Sequence, residues 1–362
     1  LMKLAEVVRG VRTEAAVVEA LLEITARAGH TAVVCTDTPG FIVNHAGRGY
    51  GTESLRALNE GVAPFHAIDR ILREQVDFDG RGFRMGPFEL LDLTALDVSH
   101  PAMESIYHQF YEEPRFRPSV TTAQRLAAGL VGRKRGEGFY RYVDGKQQPV
   151  EDAARPAAAA RAVWVAPGPA HAALCELVGA LDGALDTGER PDADSIALAA
   201  PLGVDATSAA IELGLDARQV VAIDTLFPVA RGQCRHRVLM TTPATDPQIA
   251  AGACALAGAD GARVTLLRDS AGFVAQRVIA VIVAIACEIA QQRIARPQDI
   301  DTAVRLGLGY PIGPLAMGDR LGPARVAEIL HGIERVTGDP RYRPSLWLRR
   351  RAQLGLSLLA ED

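Results

Sequence analysis

Apolar positions recur along this chain with helical spacing in some stretches and as short solid runs in others. Thr13-Glu14 precede Val17, Val18, Leu21, Leu22 and Ile24, and Gly29 follows; an N-cap, an apolar stripe and a terminal glycine predict a helix. Thr31-Ala32-Val33-Val34-Cys35 then reads as a short buried strand. Asp37-Thr38 before Pro39 predicts the start of a second helix, with capping chemistry at these residues, running to Asn59 and stopping at Gly61. Pro64 and Pro297, each followed by an Ile-Asp pair (Ile68-Asp69, Ile300-Asp301), open further helices, as do Gly86-Pro87 and Gly313-Pro314.

The longest apolar run, Val278 to Cys287, has ten residues, about half of a bilayer span, so it predicts a buried helix or helix interface. Gly145 to Arg161 is polar and then Ala/Pro-rich and reads as a linker. Beyond it, short runs at Val163-Trp164-Val165, Ser195–Ala199, Val220–Ile223, Val238-Leu239-Met240 and Arg263–Leu267 alternate with helical stretches, which predicts a parallel α/β sheet. After its first strand Gly168 stands alone in Ala166-Pro167-Gly168-Pro169. A dinucleotide diphosphate needs several glycines there for close backbone approach, so this segment is not expected to bind one.

Three stretches recur in the same order. Asp37–Asn44 (DTPGFIVN) matches Asp269–Gln276 (DSAGFVAQ) at a spacing of 232, Met85–Asp92 matches Ile312–Asp319 at 227, and Pro114–Ser119 matches Pro340–Ser345 at 226. Collinear matches at nearly constant spacing indicate an internal duplication of a helical unit of about a hundred residues.

Composition narrows the classes. Of 362 residues 48% are apolar and 23% charged, and 39 Lys+Arg stand against 43 Asp+Glu for a net charge of −4. That balance suits a globular protein and argues against nucleic acid as a partner. The five cysteines are scattered, with no C-x-x-C and no histidine at ligand spacing, so neither a disulfide framework nor a metal site is expected. A reducing cytoplasm fits that usage, and no membrane anchor is expected.

Four segments in order over about 140 residues carry a resemblance: Met2–Val8, Asp37–Asn44, Met85–Asp92, and Gly132–Tyr140 (GRKRGEGFY). Together they resemble the (S)-3-hydroxyacyl-CoA dehydrogenases, and the duplicated arrangement resembles the long bacterial members, some of which act on 3-hydroxyadipyl-CoA in phenylacetate catabolism. The resemblance implies a mainly α protein with an α/β part. Two homologous all-helical domains of the family's C-terminal type would flank a degenerate Rossmann-like domain. On this reading 1–36 is the remnant of an N-terminal Rossmann domain, 37–144 the first helical domain, 145–161 a linker, 162–268 the degenerate Rossmann-like domain and 269–362 the second helical domain. It also implies an acyl-CoA substrate, NAD as cofactor and a possible homodimer through the helical domains. Most of the NAD-binding domain would lie outside the chain, leaving an inactive fragment. A non-catalytic dimerisation or scaffold module is the rival reading.

In the family a His–Glu pair transfers the proton. Carried over, the carboxylate is Glu6, while the histidine falls upstream of Leu1, outside this sequence. Oxidising a secondary alcohol takes a base for the hydroxyl proton as hydride leaves the same carbon, and a neutral imidazole suits that task. A carboxylate on its far nitrogen fixes the tautomer and stabilises the imidazolium. The family's Asn, here Asn44, would bond the substrate oxygen or that histidine. Aligning Leu239-Met240 with Leu1-Met2 places Ala244 opposite Glu6 and Gly232 opposite the histidine, and Gln276 replaces Asn44, so the second copy is expected to be degenerate and retained for packing. Asp69, Asp301, Asp92 and Asp319 are assigned to the fold. The eight histidines do not cluster, His45 included, and Arg133-Lys134-Arg135 is read as a solvated loop, with CoA phosphates as its alternative partner.

Overall fold

The computed structural model describes residues 3–152 and 159–361. Two parallel strands, β1 (Leu4–Arg9) and β2 (Thr31–Thr36), are joined by α1 (Ala15–Arg27), with Glu6 opposite Val33. The helix starts after Glu14, because the Thr13 hydroxyl is taken by the Gly10 N–H at 3.1 Å.

Residues 37–42 turn rather than begin a helix. Gly40 and Phe41 both have positive φ, and the Thr38 hydroxyl bonds back to the Thr36 carbonyl. The next helix, α2 (Val43–Asn59), therefore starts later than Asp37-Thr38-Pro39 predicts, and it ends where expected. A Cβ at Gly40 would lie 2.9 Å from the His45 amide nitrogen, so only glycine permits this entry into the helix. There follow α3 (Phe65–Glu74), α4 (Pro87–Thr94), α5 (Leu96–Gln109), a 3-10 turn at Pro114–Phe116, and α6 (Val120–Ala127). The unit closes with a small antiparallel hairpin of β3 (Tyr142–Val143) and β4 (Lys146–Gln147). It is thus not all-helical, and the stretch read as a linker begins inside a hairpin. Asp144-Gly145, both at positive φ, supply the two-residue turn that such a hairpin requires. Residues 153–158 of that stretch lie outside the described residues.

The α/β part contains β5 (Val163–Val165), α7 (His171–Ala180), β6 (Ile196–Ala199), α8 (Ala206–Leu213), β7 (Val220–Ile223), β8 (His236–Thr241), α9 (Pro247–Ala257) and β9 (Arg263–Leu267). The sheet order is β5-β6-β7-β8-β9, parallel except that β7 and β8 run antiparallel. The expectation of an all-parallel sheet fails there. A parallel return needs a crossover, usually helical, and residues 224–235, with Pro228 and Gly232, form none.

The chain ends in α10 (Ala275–Gln291), α11 (Pro297–Leu308), α12 (Pro314–Leu321), α13 (Pro323–Thr337), a 3-10 turn at Pro340–Tyr342, and α14 (Leu346–Leu354). The long apolar run is the middle of α10, whose sides pack on α2, α11, α12, α13 and α14. A Cβ at Gly49 would sit 3.3 Å from Ile282 backbone atoms, so glycine lets α2 and α10 approach closely. Among the described residues no helix is long and apolar enough to cross a membrane.

The duplication is visible as reciprocal contacts. The Thr36 N–H donates to the Ile294 carbonyl at 2.8 Å, and at the repeat spacing the Arg268 N–H donates to the Val62 carbonyl at 3.1 Å. Arg115 Nε donates to the Arg341 carbonyl at 2.8 Å while Arg341 Nη2 donates to the Pro114 carbonyl at 2.9 Å. This is the i-to-j, j-to-i pattern of a two-fold interface, realised within one chain. The copies differ where β1-α1-β2 meets β8-α9-β9. In the second, β8 is paired on both sides and α9 buries Ile249, Ala250, Ala253 and Cys254. In the first, β1 pairs only with β2 among the described residues and α1 buries no residue, leaving Val17, Leu21 and Ile24 exposed.

Candidate active site

Glu6 reaches from the middle of β1 to the N-terminus of α2. Its Oε1 accepts the Ile42 N–H at 2.8 Å and the Val43 N–H at 3.0 Å, two of the donors that a helix start leaves unpaired. The helix dipole favours a negative charge at that place. With Oε1 occupied, Oε2 is the oxygen with free acceptor capacity. The next residue along α2 is Asn44, which is exposed and whose amide bonds to no described residue. A carboxylate held by one oxygen and an amide with donor and acceptor both free therefore share one helix start, although 38 positions separate them.

No described histidine lies within ion-pair distance of Glu6. His45, adjacent in sequence, turns the other way and is buried between Phe110 and Phe116, at ring separations of 4.8 and 5.2 Å. Burial pushes its pKa down to about 4, so it is a neutral core residue.

Strand pairing corrects the internal alignment. Glu6 faces Val33 and Val238 faces Thr265, at the constant spacing of 232, so the counterpart of Glu6 is Val238 and not Ala244. The same shift moves the counterpart of the histidine that the family resemblance implies from Gly232 to Leu226. The Leu-Met pairs matched by composition, whereas the hydrogen-bond register fixes which side chains correspond. Val238 and Leu226 are buried and apolar. Gln276 keeps its place opposite Asn44 but is fully buried. Its Oε1 accepts the Gly203 N–H at 2.8 Å, and its Nε2 donates to Asp224 Oδ1 at 2.9 Å. The position that is open in the first copy is filled from within in the second.

The turn between β5 and α7 does not suit a dinucleotide. Pro167 and Pro169 lack N–H donors, and one glycine, Gly168, does not make a cradle. The four aspartates assigned to the fold cap other segments. Asp69 accepts the N–H groups of Phe88 and Glu89 and the Tyr140 hydroxyl, and Asp301 accepts those of Leu315 and Ala316. Burial nonetheless raises both carboxyls, to about 8 and about 6. Asp92 holds the Phe139 and Tyr140 N–H groups, and Asp319 holds that of Leu358. In the basic segment Lys134 pairs with Asp97 at 2.6 Å. Arg133 lines an open cleft of about 320 Å³ with Glu89, Tyr142 and Lys146. Sequence reasoning missed the Ile42 and Val43 N–H groups, because it placed the helix start at Pro39.

Residues 40–142 and 272–358 match the family described as "3-hydroxyacyl-CoA dehydrogenase, C-terminal domain". The chain is 36% identical over 359 residues to the 3-hydroxyadipyl-CoA dehydrogenase of Escherichia coli, covering 98% of this chain and 67% of that protein. It belongs to the 3-hydroxyacyl-CoA dehydrogenase family. A crystal structure of 3-hydroxybutyryl-CoA dehydrogenase from Escherichia coli superposes with a TM-score of 0.78 at 32% identity, covering 98% of this chain and 68% of the other. The mitochondrial hydroxyacyl-coenzyme A dehydrogenase of Sus scrofa is 37% identical over 142 residues, or 39% of this chain and 44% of that protein. This member of the family thus spans about two thirds of the length of those long relatives, and it matches the C-terminal domain twice, at 40–142 and at 272–358.

Proposed function

We propose that this chain serves the NAD-dependent oxidation of (S)-3-hydroxyacyl-CoA to 3-oxoacyl-CoA, with a 3-hydroxybutyryl or 3-hydroxyadipyl acyl group. The observation that carries this reading is the Glu6 carboxylate anchored on the start of α2 beside the free amide of Asn44. Glu6 Oε2 accepts an imidazole N–H and keeps the other ring nitrogen unprotonated toward the substrate hydroxyl; when the proton arrives, the carboxylate stabilises the imidazolium. The Asn44 amide donates to the substrate oxygen and so orients the reacting carbon.

The described residues hold neither that imidazole nor a glycine-rich dinucleotide turn, so the hydride acceptor, NAD in this reading, is assigned to none of them. The α2–α10 contact reproduces within one chain the pairing that single-copy relatives would form as a homodimer, which explains why a filled second copy is kept.

The purified chain is expected to bind (S)-3-hydroxybutyryl-CoA in a calorimetric titration, and the same sample is assayed with NAD for NADH. NADH formation would place the base and the cofactor site within these residues. Failure to bind any acyl-CoA would favour the scaffold reading instead.

A further inference from the structure

One turn along α2 from Asn44 stands Arg48. Its Nε donates to the Asn44 carbonyl at 2.9 Å, and no carboxylate among the described residues pairs with its guanidinium. The residue is half-buried, and burial holds the guanidinium below its ordinary pKa. A cation in that setting, with its Nη groups unspent, is an incomplete pair.

The second copy supplies a second polar group. Tyr310, just beyond α11, is 4% exposed, and its hydroxyl is buried without a hydrogen-bond partner. It lies close enough to Arg48 for each to act on the other's ionisation. Its ring is fixed by Phe83 at 4.9 Å and Tyr50 at 5.8 Å. Close packing of α11 on α2 brings the two together: a Cβ at Gly47 would meet Leu308 at 2.9 Å, and one at Gly307 would meet Val43 at 2.9 Å.

We infer that Arg48 and the Tyr310 hydroxyl form a subsite for a carboxylate at the far end of the acyl chain, selecting 3-hydroxyacyl-CoA thioesters of dicarboxylic acids. The inference rests on the reading of Asn44 as the residue that binds the reacting oxygen. Residues at i and i+4 share a helix face about 5–6 Å apart at Cβ. That reach suits the few carbons between a 3-hydroxyl and the end of a short diacid. CoA phosphates are anions too, but the pantetheine arm holds them far from the reacting carbon. A guanidinium offers a fork that matches a carboxylate, and the tyrosine hydroxyl donates a third hydrogen bond.

The test compares adipyl-CoA with hexanoyl-CoA, equal in length and differing at the chain end, together with free CoA, by calorimetric titration of the whole chain. Adipyl-CoA is expected to bind at least about tenfold more tightly than hexanoyl-CoA. In Arg48→Met that ratio should fall to near one. In Tyr310→Phe, which keeps the ring and its packing, it should fall part of the way. Equal affinities in the unmodified chain, or a preference that survives Arg48→Met, would overturn the subsite while leaving acyl-CoA binding intact. Loss of free-CoA affinity in Arg48→Met equal to the loss for adipyl-CoA would assign Arg48 to phosphate and overturn it as well. Binding of none of the three would remove both the subsite and the acyl-CoA reading beneath it.

Discussion

Glu53 and Arg277 meet as a carboxylate–guanidinium pair 2.7 Å apart across the junction of α2 and α10, both shut off from water. The same carboxylate accepts the Tyr342 hydroxyl at 2.6 Å and faces Arg341, while Arg277 also reaches Glu60 at 2.9 Å. Burial alone would raise the Glu53 carboxyl, but Arg277 and Arg341 hold it below the usual range. Removing one partner strands the others in a dry interface. Glu53→Ala is therefore expected to cost about 3–5 kcal/mol in denaturant unfolding. A loss under 1 kcal/mol would mean that water enters this junction.

Glu6 has a structural duty beside its proposed chemical one. Glu6→Ala leaves the Ile42 and Val43 N–H groups without their acceptor and is expected to cost about 1–2 kcal/mol. Glu6→Gln keeps an acceptor oxygen and should cost less. An unchanged unfolding midpoint in Glu6→Ala would show that the cap is not made in solution.

His45 gives the fold a pH dependence of known sign. Its pKa falls from an ordinary 6.5 to about 4 because burial disfavours the imidazolium. The unfolded chain thus binds the proton more readily. The contribution is fully present above about pH 6.5 and is lost as pH falls toward 4, by roughly 3 kcal/mol in all. His45→Phe should flatten the stability profile over that range, and a slope that persists would assign the acid sensitivity elsewhere.

Gly86 and Gly313 pack against the aspartates that cap their helices. A Cβ would lie 2.2 Å from Asp69 Cγ in one case and 2.1 Å from Asp301 Cγ in the other. Alanine at either position is expected to cost at least about 2 kcal/mol, by displacing the cap. Gly51, in the middle of α2, has nothing within 4 Å of its Cβ direction. Gly51→Ala should instead stabilise by about 0.5–1 kcal/mol. Paired thermal melts would reveal the opposite signs.

Much of this was legible in the sequence. The strands Val220–Ile223 and Arg263–Leu267, the end of α2 at Asn59 and the helices opened by Pro64 and Pro297 follow from local patterns, because turn chemistry and apolar runs act over a few residues. The duplication was legible because the motif Asp37–Asn44 recurs. What depends on strand pairing was not. The antiparallel step between β7 and β8 and the match of Glu6 to Val238 are set by register across the sheet, which composition does not encode. Asp144-Gly145 carried a plain hairpin signal that the surrounding polar run obscured. The bond from Glu6 to the Ile42 N–H lay hidden because the helix starts after a positive-φ turn, whereas the proline signal placed its start before that turn.

The reciprocal bonds of Thr36 with Ile294 and of Arg268 with Val62 have a genetic consequence. When two identical subunits meet on a two-fold axis, any substitution appears on both sides of it, and a change that improves the contact while spoiling a site spoils both sites. With both halves encoded in tandem, each side drifts alone. The interface can hold its symmetric backbone contacts while Asn44 on one side stays open and Gln276 on the other closes over Asp224. A half whose corresponding position has closed in this way is a partner that never dissociates.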